Sequence, residues 1–158
     1  MGEPGAGTNC LDLANTWGGR PNPASDQLQR YEDLVAWAIR TGSLSEAEAD
    51  RLRTAAALRP AEAARAVEEA RAQRESVYRA LTARAAGRAP APSDLESLNR
   101  AIERALARLR VCPDETCCSW SWSFSPDDLD RPLWPAVRSA AELLTAAVDG
   151  RLDQCGCG

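Results

Sequence analysis

Apolar residues recur at helical spacing along most of this chain, and that periodicity limits the fold more strongly than any other feature. Residues three or four positions apart lie on one face of a helix, so each run predicts an amphipathic helix with one buried side. The runs are Tyr31, Leu34, Val35, Ala38 and Ile39; Val67, Ala70, Val77, Tyr78 and Leu81; Leu95, Leu98, Ile102, Leu106 and Leu109; and Leu133, Val137, Ala140, Ala141, Leu144 and Val148. Residues 10–16 add one or two predicted helical turns.

Capping residues predict where several of these helices begin. Ser45 and Glu48 have the spacing of a capping box, in which each side chain accepts a hydrogen bond from the other residue's backbone N–H. Ser93 and Glu96 repeat that spacing and predict a second capping box. Pro60 suits the first turn of the long helix that follows it, because a proline there removes no helical hydrogen bond. These boundaries predict five to six helices.

One segment departs from the helical pattern. In residues 118–124 serines alternate with cysteine or aromatic residues, and a period of two predicts a strand. Residues 109–112 are its predicted partner. Aromatic side chains on a strand can stack nucleic-acid bases, but the serines and following aspartates favour burial of Trp120, Trp122 and Phe124 against the helices. We therefore predict a mainly α-helical fold with one β-hairpin at about residues 108–125.

Composition excludes several classes of function. The chain of 158 residues has no histidine, and all 19 of its basic residues are arginine. Without imidazole the usual general base and histidine-assisted nucleophiles are absent, so we do not expect an enzyme. The net charge of −4 argues against nucleic-acid binding over most of the surface. No apolar run reaches the roughly 20 residues of a membrane span and no signal peptide is recognisable, so we expect a cytoplasmic protein without a membrane partner.

The six cysteines are candidate metal ligands. In a cytoplasmic protein they are expected to be thiols or ligands rather than disulfides. Cys155 and Cys157 have no evident packing role, and we predict that they form half of a metal site. Cys112, Cys117 and Cys118 on the hairpin are candidates to complete it, as in a zinc ribbon. The alternative is that Cys117 and Cys118 are small hairpin residues and Cys10 lies in the core, because the terminal pair is spaced more tightly than in most zinc sites and free cysteine is readily buried.

Four residues are candidates for binding a ligand. Asp12 and Asn15 are polar residues within the apolar N-terminal segment, although such residues also close turns and cap helices. Trp37 is a candidate to line a pocket. Arg74 falls on the apolar side of its predicted helix. A buried arginine needs a carboxylate partner, and Asp12 is one candidate for that partner as well.

Five short motifs together resemble the ABATE domain of bacterial regulatory proteins. They are CLDLANT at residues 10–16, YEDLVAWA at 31–38, LN at 98–99, LWP at 133–135 and RSAAELL at 138–144. Their order and spacing match over residues 8–155. In that family the helical domain precedes a zinc finger of the CGNR type, and Cys155 with Cys157 stands at the place of the finger's first cysteine pair. The resemblance implies a regulatory domain over residues 1–150 and the start of a truncated zinc-finger module over 151–158.

The resemblance further implies that the chain is the N-terminal sensing domain of a bacterial transcription regulator of the stress response. A full-length form would bind zinc and contact DNA through the missing finger, and an unknown small molecule would be the effector. A homodimer is an expected assembly. The alternative is a stand-alone small-molecule-binding or protein-interaction module with no role at DNA, which the acidic net charge favours.

The zinc content of the chain is the first testable consequence. Because Cys155 and Cys157 supply only two of the four ligands that structural zinc requires, we expect protein purified without chelator to carry well below one zinc per chain. Elemental analysis measures this directly. About one zinc per chain would contradict the prediction and would mean that a hairpin cysteine joins the terminal pair in a closed site.

Overall fold

Six α-helices and one antiparallel hairpin make up residues 9–146, the part of the chain that the computed structural model describes. The helices are α1 (Asn9–Asn15), α2 (Tyr31–Arg40), α3 (Glu46–Leu58), α4 (Pro60–Ala85), α5 (Pro92–Leu106) and α6 (Trp134–Thr145). The strands are β1 (Leu109–Pro113) and β2 (Cys118–Trp122), and 3₁₀ turns cover Pro23–Ser25 and Arg131–Leu133. The predicted fold class is confirmed. Val148, Cys155, Cys157 and the predicted domain boundary at residue 150 lie outside the described residues.

The longest helix, α4, is the element around which the other helices pack. Its 26 residues extend about 39 Å, and it contacts α1, α2, α3, α5 and α6. Small side chains on its buried face let the neighbouring helices approach closely. The alanines of that face are Ala63, Ala66, Ala70 and Ala80. The single arginine on it, Arg74, is consequently surrounded by protein and only 1% exposed.

The capping box predicted for α3 is confirmed. The Ser45 Oγ accepts a hydrogen bond from the Glu48 backbone N–H at 3.2 Å, and the Glu48 carboxylate accepts one from the Ser45 N–H at 2.9 Å. Three residues earlier, Gly42 has a φ of 75°, which suits glycine because it lacks a Cβ. The turn between α2 and α3 therefore forms from the residues that the sequence indicated.

The capping box predicted for α5 at Ser93 and Glu96 is wrong. The helix begins at Pro92, because the fixed φ of proline suits the first helical position. The side chain of Asp94 is then turned towards α4, where it accepts a hydrogen bond from Arg79 Nη2 at 2.7 Å. This ion pair links the start of α5 to α4.

The hairpin packs on the helices only at its base. Trp122 of β2 contacts Trp134 of α6, with ring centroids 5.7 Å apart, and Phe124 also packs against the core. Towards the tip, Val111 and Trp120 are paired across the two strands but are 60% and 53% exposed. The predicted burial of Trp120 is therefore wrong, because the alternating apolar face of the hairpin continues past the edge of the helices.

Several residues of the predicted helical stripes lie at their margins. Leu95, Leu106 and Tyr78 are exposed rather than buried. Leu109 belongs to β1 instead of the preceding helix, because α5 ends three residues earlier. Tyr78 is covered by the guanidinium group of Arg20, which lies 4.1 Å from the ring centroid.

Tyr31 connects the first turn of α2 to the segment before α6. Its hydroxyl donates a hydrogen bond to the Leu129 carbonyl oxygen at 2.8 Å, and the ring is buried in the core. Burial, with a smaller contribution from the negative charge of Asp130, raises the pKa of Tyr31 above its ordinary value. The phenol therefore stays protonated and remains a donor.

We expect Tyr31→Phe to lower the free energy of unfolding by about 1–2 kcal/mol, because the buried Leu129 carbonyl loses its partner while the ring packing is kept. Tyr78→Phe is the matched control, since Tyr78 is the only other tyrosine and is exposed; its expected effect is within about 0.5 kcal/mol. Urea denaturation followed by circular dichroism measures both. Equal stabilities of the two variants would contradict the assigned hydrogen bond.

Candidate functional site

A polar cavity of about 340 Å³ lies between α1 and α2. Apart from one tryptophan, every side chain that lines it is polar or charged. The lining residues are Asp12, Asn15, Thr16, Gln27, Trp37, Arg40 and Thr41. Its walls therefore offer one carboxylate, one guanidinium group, amide groups and hydroxyl groups within a space of small-molecule size.

The cavity brings together three of the four predicted ligand-binding residues. Asp12 and Asn15 are three positions apart on α1, so they lie on one face, away from the buried Leu13 and Ala14. Trp37 of α2 contributes to the same cavity. The fourth predicted residue, Arg74, does not line it.

Four lining residues were not predicted, namely Thr16, Gln27, Arg40 and Thr41. Helical spacing could have indicated the last two of them. Arg40 and Thr41 follow Trp37 by three and four positions, which places them beside it at the end of α2. Gln27 lies in the loop before α2, and no sequence pattern points to it. Its backbone N–H donates a hydrogen bond to the Thr16 carbonyl oxygen at 2.9 Å, which closes the loop against α1.

Trp37 supplies the one aromatic ring of the cavity wall. It is 2% exposed, and its indole Nε1 has no hydrogen-bond partner among the described residues. A buried donor without an acceptor costs about 1–3 kcal/mol relative to a paired one. Because Nε1 exposes less than 1 Å², the ring borders the cavity while its N–H is not accessible from it.

The two threonines of the cavity have their hydroxyl protons engaged within the protein. Thr16 Oγ1 donates to the Leu13 carbonyl oxygen at 2.7 Å, and Thr41 Oγ1 donates to the Trp37 carbonyl oxygen at 3.0 Å. Both hydroxyl groups therefore have acceptors within the protein. The groups left to contact a ligand as donors are the two side-chain amides and the guanidinium group of Arg40.

Arg74 lies behind Thr16 and forms a buried ion pair. Its Nη1 and Nη2 donate to the two carboxylate oxygens of Asp26 at 2.6 and 2.7 Å, and its Nε donates to Glu75 at 3.0 Å. The predicted pairing of Arg74 with Asp12 is therefore wrong. Arg74 Nη1 also donates to Thr16 Oγ1 at 3.3 Å, so the arginine supports the cavity wall from the inside.

A second arginine extends this network to the loop after α1. Arg20 donates through Nε and Nη2 to the Glu75 carboxylate at 3.2 and 3.1 Å. It also donates to the backbone carbonyl oxygens of Ala14 and Trp17. The segment between α1 and α2 is thereby tied to α4 at two points, Arg20 and Asp26.

The neighbouring arginines determine the pKa of the Asp26 carboxyl group. Burial alone raises the pKa of the Asp26 carboxyl, but hydrogen bonds from Arg74 and the Leu28 N–H, with the charges of Arg74 and Arg71, outweigh burial. The resulting pKa lies below its ordinary value. The carboxylate is therefore ionised whenever the protein is folded near neutral pH.

The described residues do not offer a zinc site. Residues 9–146 contain no group of three or more cysteine and carboxylate side chains placed to hold a metal ion. Cys155 and Cys157 lie outside that range, so the predicted half-site stays a prediction. Within the same range no helix is long and apolar enough to cross a membrane.

Comparison with known proteins identifies the family. The family model ABATE, described as "Putative stress-induced transcription regulator", matches residues 7–147. The chain belongs to the ABATE family. That span contains every residue that lines the cavity, so the site lies within the ABATE domain itself. No match was found among curated proteins or among solved structures.

We expect Asp26→Asn to lower the free energy of unfolding of this ABATE domain by about 3 kcal/mol at pH 7, because Arg74 loses its bidentate partner. In the native protein the ion pair stabilises the fold above the ordinary pKa near 3.8, and this stabilisation is lost as the pH falls through the lower pKa of the folded state. The variant should therefore lose less stability than the native protein between about pH 4 and pH 2.

Urea denaturation over that pH range tests the expectation, with Asp50→Asn as the control. Asp50 is an exposed acid that pairs with Arg53 at the surface, and its removal should change stability by less than about 0.5 kcal/mol. Parallel acid profiles for the native protein and Asp26→Asn would show that the Asp26 carboxylate does not carry the expected linkage.

Proposed function

We propose that this ABATE domain is the sensing part of a bacterial transcription regulator and that its effector is a small polar molecule bound between α1 and α2. The family description supports the regulatory role. The observation that carries the ligand proposal is the polar lining of this cavity, where the Asp12 carboxylate and the Arg40 guanidinium group border one space beside the Trp37 ring. Such a lining favours a small ligand with polar or charged groups.

The residues of the cavity favour binding over catalysis. Asp12 and Arg40 supply one charge of each sign, while the hydroxyl protons of Thr16 and Thr41 are already engaged. No nucleophile with an adjacent base lines the cavity. A volume of about 340 Å³ is at the small end of ligand sites, which favours a compact metabolite.

The packing of α1 offers a route from the cavity to the end of the domain. The Cys10 backbone N–H of α1 donates a hydrogen bond to Ser139 Oγ of α6 at 3.3 Å. Helix α6 is the last described element before the C-terminal residues. In the proposed mechanism a ligand that fixes α1 shifts the preferred position of α6, and a zinc module following the domain in a full-length form responds at DNA.

Ligand binding is tested by a thermal-shift screen of small polar metabolites. A compound present at about 100 times its Kd should stabilise the domain by about 2.7 kcal/mol and raise the Tm by roughly 5–10 °C. Asp12→Asn and Arg40→Gln should each reduce that shift, because both side chains line the cavity. Glu96→Gln, on the exposed side of α5, is the control and should keep it.

Two results would count against the proposal in different ways. If no polar compound raises the Tm, or if both cavity variants keep the full shift, the effector does not bind between α1 and α2. Chromatin immunoprecipitation of the tagged native protein tests the regulatory role separately. Ligand binding without enrichment at any promoter would favour the alternative of a stand-alone binding module with no role at DNA.

A further inference from the structure

Two adjacent thiols lie at the outer end of the hairpin. Cys117 and Cys118 are both exposed free cysteines, and their Sγ atoms are 3.8 Å apart. No step of the proposed sensing mechanism uses them. Because both are accessible from solvent, a reagent can reach the two sulfur atoms together.

The spacing of the thiols follows from the turn. Consecutive side chains of a strand point to opposite faces, so two cysteines within one strand would be separated. Cys117 instead belongs to the bend before β2, where its N–H donates to the Asp114 carboxylate at 2.8 Å and its carbonyl oxygen accepts from the Asp114 N–H at 3.2 Å. The same carboxylate accepts from the Thr116 N–H at 2.9 Å. The Asp114 side chain thus fixes the bend that brings the thiols together.

The position of the two thiols favours chelation of one atom over a disulfide. Adjacent Cα atoms lie about 3.8 Å apart, below the roughly 4.4–6.8 Å that disulfides usually span, so a disulfide between neighbouring residues is strained. Two sulfur atoms bound to one central atom lie roughly 3–4 Å apart, a range that includes the observed 3.8 Å. A small rotation of the side chains therefore lets both sulfurs bind one atom.

We propose that Cys117 and Cys118 form a dithiol site for trivalent arsenicals, independent of the cavity between α1 and α2. Two thiols satisfy an arsine oxide: both S–H bonds lose their protons, two As–S bonds form, and the oxygen of the As=O group leaves as water. The oxidation state of arsenic does not change, so no oxidant or reductant is required. A tetrahedral divalent cation would need two further ligands, and residues 9–146 place no third ligand with this pair.

The site lies next to the part of the hairpin that contacts α6. Cys118 shares a strand face with Trp120, and the guanidinium group of Arg138 on α6 lies 5.8 Å from the Trp120 ring centroid. An arsenical on the thiols would add bulk beside this contact. Occupancy of the site is therefore expected to change the fluorescence of Trp120 as well as the mass of the protein.

Phenylarsine oxide is the probe for this site. The full chain carrying Cys155→Ser and Cys157→Ser is used, so that the C-x-C pair cannot bind the reagent. After reduction we expect one adduct per chain by intact mass spectrometry, displaced by an added dithiol but not by a monothiol. Adding Cys117→Ser or Cys118→Ser should weaken binding by about 100-fold, because one thiol removes the advantage of two linked ligands.

Cys112→Ser is the matched control and should keep the adduct, because Cys112 lies on the opposite face of the hairpin from Cys118. Serine is nearly isosteric with cysteine, and circular dichroism verifies that each variant is folded. Absence of an adduct, its retention in both the Cys117 and Cys118 variants, or its loss in the Cys112 variant would overturn the proposal. Thermal shifts at the cavity can fail or succeed without affecting any of these outcomes.

Discussion

A single ion pair inside the helical bundle determines the shape of the surface above it. Arg74 projects from α4 into the core, where an unpaired guanidinium group would be severely destabilising. The loop between α1 and α2 must therefore bring Asp26 to it, and this requirement also brings Thr16 and Gln27 to the cavity wall. Replacing a buried ion pair by aliphatic residues of similar volume is often neutral or stabilising, so stability alone does not account for these charges. They specify where the loop lies.

The same arrangement explains why the cavity is polar although it borders a well-packed core. Helix α1 has only seven residues, too few for a stable helix in isolation, and its position depends on contacts with α4 and α6. The side chains that hold it are on its buried face, which leaves Asp12 and Asn15 on the cavity side. A short helix that is fixed only through its buried face is well suited to respond to a molecule bound at its cavity face.

Most of the fold could be predicted from the sequence, because helical stripes and the serine-spaced strand are local patterns. The capping signal at Ser93 and Glu96 does not predict the start of α5, because Pro92 and the Asp94–Arg79 pair outweigh it. At the site, Asp12, Asn15 and Trp37 were found by residue type and position. Gln27 and the pairing of Arg74 with Asp26 could not be found, because both depend on the path of an irregular loop across the bundle.

The limited attachment of the hairpin has a consequence for how sequences of this kind can diverge. Its base is fixed by Trp122 against Trp134, while the outer half contributes little buried area to the folded domain. Substitutions in the outer half of the hairpin, between Val111 and Trp120, should therefore rarely destabilise the domain. The tip can acquire or lose binding chemistry by single changes while the helical body stays the same, which makes it the region where related domains are most free to differ in what they recognise.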